Sequence, residues 1–141
     1  MIYKIDHIGI AVANLDETVK FYEILGMEVE KTETHAGQKV KVAFLPIGDT
    51  ELELLEPTDP ESAIAKFISS KGQGIQHIAF QTENIEKAIA DLKAKGMRFI
   101  DEKPRIGAGG TKIVFLHPKN TYGVLIELVQ QAGETINVVC D

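Results

Sequence analysis

Two histidines and two glutamates stand where β-strands would ordinarily carry core residues. "DHIGIAV" places His7 in an apolar strand pattern, and "QHIAFQT" places His77 at the same point of a second one. "ELELLEP" sets Glu53 between two leucines, and "VLIELVQ" sets Glu127 between Ile126 and Leu128. Side chains alternate along a strand, so His7 shares its face with Gly9 and Ala11, and His77 shares its face with Ala79. Glycine and alanine leave open space in front of each imidazole, which suits a ligand-bearing concave face better than a packed core. On its own face Glu127 is flanked by Leu125 and Val129. A carboxylate buried there without a partner costs on the order of several kcal/mol or takes up a proton. A divalent cation resolves that conflict, with the imidazoles as neutral co-ligands. His7, Glu53, His77 and Glu127 thus form a nitrogen and oxygen shell without thiolate, suited to Zn²⁺, Co²⁺, Ni²⁺ or Mn²⁺. Octahedral coordination would leave two positions for water or substrate. A lone strand histidine is more often a hydrogen-bonded core residue than a ligand; its recurrence at a duplicated position favours ligation. His35 and His117 lack such counterparts and read as loop or strand-end residues.

The elements that must position these four side chains come as a doubled unit. With the second half set on the first so that His77 meets His7, the segments Asp6–Val29 and Gln76–Phe99 align without a gap. Asn14 meets Asn84, and Gly26-Met27 meets Gly96-Met97. Each asparagine suits a helix N-cap, and Glu17 adds a capping-box partner in the first half that Lys87 does not repeat. Leu15, Val19, Tyr22 and Leu25 form one helical stripe, and Ile85, Ile89 and Leu92 the other. Gly26 and Gly96 are placed for the left-handed residue that ends each helix. Strand patterns follow at 40–45 and 51–55, then at 113–117 and 124–129, with a further strand expected after each helix. The order is βαβββ, twice. Between the units a linking helix is expected over about 60–72, with Asp59 as cap, Pro60 in its first turn and Gly72 at its end. The expectation is an α+β fold in one domain spanning 1–141. Its first module covers about 1–58, its second about 74–130, and a tail covers 131–141.

Bulk properties bound the function. The chain has 141 residues, enough for a core without staples, and 44% apolar with 26% charged residues is ordinary globular composition. A formal charge of −6 argues against a nucleic-acid binder. No apolar run approaches a membrane span, and no signal peptide is expected before the first strand. Cys140 is the only cysteine, so no internal disulfide can form. A reducing compartment, the cytoplasm, is the expected location.

Four stretches, "ELLEPTDPESAIAKF", "GIQHIAF", "PRIGAGGTKIVFLHPK" and "GVLIEL", occur in this order. With them the chain resembles the vicinal-oxygen-chelate (glyoxalase/bleomycin resistance/dioxygenase) superfamily and, within it, the methylmalonyl-CoA epimerases. The resemblance implies two βαβββ modules side by side, forming a curved mixed sheet around a metal-binding cleft, and a homodimer. It places the metal ligands on His7, Glu53, His77 and Glu127; some relatives carry glutamine at the second position, so Glu53 adds a negative charge. It implies one divalent ion per chain, Co²⁺ first among the candidates, and an acyl-CoA substrate. The implied reaction interconverts the C2 epimers of methylmalonyl-CoA by proton abstraction through a metal-stabilised enolate, which needs an acid/base group on each side of C2. Glu127 is the first candidate. Lys41 is the second, aligned where some relatives carry glutamate; as a base it would need burial to lower its pKa, and it could instead hold the substrate carboxylate. Residues 98–119 hold five basic against two acidic side chains, an excess of +3. Gly109, Gly110, Lys112 and Lys119 within that stretch are the expected contacts for the thioester arm and its phosphates. The nearest alternative is a glyoxalase I type lactoylglutathione lyase. A metal-free sequestering protein of the same fold is the second, and a ring-cleaving dioxygenase is less favoured because such sites use two histidines and one carboxylate.

Overall fold

The computed structural model describes residues 1–133; Cys140 and the rest of the chain beyond lie outside the described residues. Among the described residues eight strands and three α-helices follow one another as β1 (Ile2–Ala11), α1 (Leu15–Ile24), β2 (Lys31–His35), β3 (Val40–Ile47), β4 (Thr50–Pro57), α2 (Ala63–Lys71), β5 (Gly74–Thr82), α3 (Ile85–Ala94), β6 (Arg105–Ile106), β7 (Lys112–Phe115) and β8 (Ile126–Gln130). The fold is α+β, and the sheet order is β2-β3-β4-β1-β5-β8-β7-β6. Two compact units divide the chain: His7–Gln76 is one, and Met1–Asp6 with the residues from His77 onward is the other.

In the unit His7–Gln76, β1 runs parallel to β4, with Gly9 opposite Glu53. Antiparallel pairs β3–β4 and β2–β3 complete the order. Helix α1 starts where Asn14 accepts a hydrogen bond from the Glu17 amide at 3.0 Å and stops at Gly26, whose φ of +97° is costly for any residue with a Cβ. Its Leu15 packs with Val12, Ala43, Leu45 and Leu54 into one core, joined by Val19 and Tyr22. Leu25, expected on that stripe, is exposed; it is the C-cap residue, still in the right-handed helical region, before Gly26 turns the chain.

The other unit repeats this arrangement. β5 runs parallel to β8 with Ala79 opposite Glu127, and β7–β8 and β6–β7 are antiparallel. Asn84 accepts from the Lys87 amide at 3.0 Å, and Gly96 has a φ of +91°. Ile85, Ile89, Val114 and Leu128 form its core, with Leu92 against them. The helix ends match bond for bond. Met27 donates its amide to Tyr22 as Met97 does to Leu92, and Gly26 donates to Glu23 as Gly96 does to Lys93. Equal local sequence has produced equal local structure.

The linking helix α2 begins later than expected. Ser62 caps it, accepting from the Ala65 amide at 3.0 Å, while the Asp59 side chain accepts from the Glu61 amide in a separate turn just before. Asp59-Pro60 therefore makes a turn, and the helix starts where a second capping side chain is available.

Candidate metal centre

Parallel pairing puts each candidate histidine next to its glutamate. Gly9 lies directly opposite Glu53, so His7, two residues earlier on the same face, lies diagonal to it. Ala79 and His77 stand in the same relation to Glu127. With no bulk at Gly9 and little at Ala79, each carboxylate reaches across to its imidazole. His7 Nδ1 is 3.3 Å from Glu53 Oε2, and His77 Nε2 is 3.1 Å from Glu127 Oε1. All four side chains are buried.

The spacing within each pair suits two donors on one cation. Donors about 2.1 Å from a metal, subtending tetrahedral or cis-octahedral angles, lie about 3.0–3.4 Å apart. Two neutral imidazoles and two carboxylates are moreover a donor set for a borderline divalent ion rather than for Ca²⁺ or a thiophilic metal. The residues present therefore fit the ion that their types suggest.

The neighbouring strands finish each half-site in the same way. Phe44 on β3 pairs with Glu53, and Phe115 on β7 pairs with Glu127. The Phe115 ring meets His77 edge-on, with centroids 5.8 Å apart. A cation lies over each phenylalanine, Lys31 at 5.0 Å from Phe44 and Arg105 at 5.8 Å from Phe115. Lys31 is held above the usual lysine range, chiefly by its hydrogen bond to Glu33; the same bond pulls Glu33 below the usual carboxylate range. Glu56 and Gln130, each three residues past its ligand glutamate, turn to the helix face. Glu56 Oε1 accepts from the Leu15 amide at 2.7 Å and Gln130 Oε1 from the Ile85 amide at 2.8 Å. Each tethers a ligand-bearing strand to the first turn of its unit's helix. The repeated spacing from Glu53 to Glu56 and from Glu127 to Gln130 was the signal for them.

Two expected residues, Lys41 and Lys112, are turned away from the glutamates. Lys41 pairs with Glu56 and Thr34, on the side of β3 that also carries the core residues Ala43 and Leu45. Val42 and Phe44 occupy the Glu53 face, so Lys41 is turned away from it. Lys112 is likewise on the helix side of β7, and its Nζ is 3.1 Å from Glu86 Oε2 in the first turn of α3. Lys119 is in the 3₁₀ turn Pro118–Asn120, whose start is capped by His117 Nδ1. Gly109 and Gly110 have left-handed φ values of 67° and 79° in the turn at 108–110. Gly107 closes that turn against β7: a Cβ there would lie 2.8 Å from Ile113 Cγ2. His35 Nε2 lies 3.1 Å from Glu33 Oε2 on β2.

A profile of the Glyoxalase/Bleomycin resistance protein/Dioxygenase superfamily matches residues 6–115. The chain belongs to that superfamily. Within it, the chain is 40% identical over 129 residues to the mitochondrial methylmalonyl-CoA epimerase of Homo sapiens, covering 90% of this chain and 73% of that protein. It is 38% identical over 133 residues to the ethylmalonyl-CoA/methylmalonyl-CoA epimerase of Cereibacter sphaeroides, covering 92% and 99%. Among solved structures, a variant of the Streptomyces coelicolor methylmalonyl-CoA epimerase in complex with 2-nitronate-propionyl-CoA superposes with a TM-score of 0.90 at 45% identity, covering 94% and 96%. Among the described residues no helix is long and apolar enough to cross a membrane.

Proposed function

We propose that the chain is a methylmalonyl-CoA epimerase whose divalent metal ion is held by His7, Glu53, His77 and Glu127. The observation that carries this reading is similarity over nearly the whole length, at 38–45% identity, to proteins named for that activity. The buried histidine–glutamate pair in each unit supports the ion, with Co²⁺ the first candidate and Zn²⁺, Ni²⁺ and Mn²⁺ the others. When bound, such an ion would supply Lewis-acid stabilisation of negative charge developing on the thioester carbonyl.

The chain's own residues then have separable tasks. Glu127, buried and 3.1 Å from His77, is the group assigned to exchange a proton with C2 on one face of the substrate, provided that the substrate weakens its hold on the ion. Reprotonation from the other face yields the epimer. Lys41 is not assigned that second role, because β3 turns it toward α1. Phe44 and Phe115 line the glutamates with apolar surface and keep water from the carboxylates, which strengthens every polar interaction made there. Gly109, Gly110 and Lys119 remain the proposed contacts for the thioester arm. The chain functions in the cytoplasm as a homodimer of single-domain subunits on this reading.

Incubation of metal-loaded protein with one epimer of methylmalonyl-CoA in D₂O tests the assignment. Deuterium at C2 together with formation of the other epimer is the expected result. Absence of exchange, with turnover of a glutathione hemithioacetal instead, would select the lactoylglutathione lyase alternative. Binding of a small molecule by the metal-free protein without any turnover would select the sequestering one.

A further inference from the structure

The duplicated site face carries one asymmetry that the metal ligands do not explain. In each unit a phenylalanine beside the ligand glutamate bears a cation on its ring, but the two cations stand in opposite fields. Lys31 is ion-paired to Glu33 at 3.0 Å, and Glu30 and Glu51 act on it as well. Arg105 lies in the stretch 98–119 that holds the excess of basic residues, with Arg98 and Lys103 nearby in sequence. Its register opposite Ile113, itself opposite Val129, places it on the face of Glu127 and His77. Phe115 supports one side of the guanidinium, and Asp101 Oδ2 is ion-paired to Nε at 3.2 Å without hydrogen-bond geometry. Among the described residues the two terminal Nη groups enter no further ion pair or hydrogen bond. A guanidinium ion-paired at Nε and set against a ring can offer those two groups as a fork to an oxyanion.

Its place also selects which oxyanion. The Phe115 ring stands between Arg105 and His77, 5.8 Å from each, so the guanidinium lies beyond that ring and meets a different part of a bound molecule. An acyl-CoA whose carboxylate and thioester lie at the glutamates has its next anionic groups at the far end of the pantetheine arm. We infer that Arg105 is the specificity-determining residue that receives the CoA diphosphate, held for that task by Phe115 and Asp101. The inference rests on the acyl-CoA reading and adds which residue recognises the CoA.

The test compares the metal-loaded wild type with Arg105→Gln, Arg105→Lys and Lys31→Gln. Epimerisation of methylmalonyl-CoA and of the phosphate-free S-methylmalonyl-pantetheine is measured for each, together with equilibrium binding of free CoA. Loss of one charge-assisted hydrogen-bonding group predicts that Arg105→Gln raises the KM for the CoA thioester and the Kd for CoA about tenfold. The kcat stays within about twofold, and the pantetheine thioester is unaffected. Arg105→Lys recovers only part of the loss because an ammonium cannot reproduce the stacked fork, and Lys31→Gln leaves CoA binding unchanged. Equal losses with both thioesters, or the same CoA effect from Lys31→Gln, would overturn the assignment. If the wild type epimerises but CoA binding ignores Arg105, this inference falls and the epimerase reading stands. If CoA binding depends on Arg105 but the wild type epimerises nothing, the reverse holds.

Discussion

At the scale of single residues, the site depends on what is small as much as on what is charged. Gly9 and Ala79 lie opposite Glu53 and Glu127, and their size lets each carboxylate lean back toward the histidine two positions earlier. His77 carries this furthest, since it lies 3.1 Å from Glu127 and edge-on to Phe115. His77→Ala should therefore leave a folded protein, with circular dichroism unchanged, while metal content by elemental analysis drops from about one ion per chain to well below half. Retention of the full complement would remove His77 from the ligand set. These residues were legible in the sequence because alternation along a strand is local: a histidine in an apolar strand with glycine or alanine beside it is visible without knowing any partner strand. Arg105 was not, because the ring it stacks on is ten residues away across a strand pair.

Among the secondary-structure elements, the units behave as two copies of one device, a parallel strand pair whose second strand is tied to the intervening helix. Glu56 and Gln130 make that tie, accepting from the first helical amides of α1 and α3. Those amides have no intrahelical partner of their own. Gln130→Ala strips a buried N–H of its acceptor, and about 1–3 kcal/mol of unfolding free energy should be lost, read as a lower midpoint in urea denaturation. Glu56→Ala, at a partly buried amide, should cost less, about 1 kcal/mol. Midpoints that do not move would mean that water replaces the tie. Caps and stops at Asn14, Asn84, Gly26 and Gly96 were readable because each acts within a few residues of itself. The start of α2 was misread for the same reason in reverse: Asp59-Pro60 and Ser62 are both competent starts, and local chemistry alone does not rank them.

For the molecule as a whole, a ligand that binds only the folded chain raises its stability by mass action. Filling the proposed metal site at about one hundred times its dissociation constant adds about 2.7 kcal/mol. For a chain of this size that is roughly 8–10 °C in Tm. Thermal melting with and without a chelator should show that difference in the wild type and lose it in His77→Ala. An unchanged Tm in both would mean that no ion is bound with useful affinity.

Much was determined by the sequence alone: the doubled unit, the helix boundaries of α1 and α3, and the four residue types suited to a metal. Each follows from interactions spanning a few residues, or from a pattern repeated in both halves. Tertiary structure alone decided which face each cation took. Lys41 and Lys112 lie on the helix face, while Arg105 lies on the face that carries the glutamates, because parity along a strand acquires a meaning only when its neighbour's register is set. That register is fixed by burial of Ala43 and Leu45 against α1 and of Val114 against α3, contacts between residues far apart in the chain.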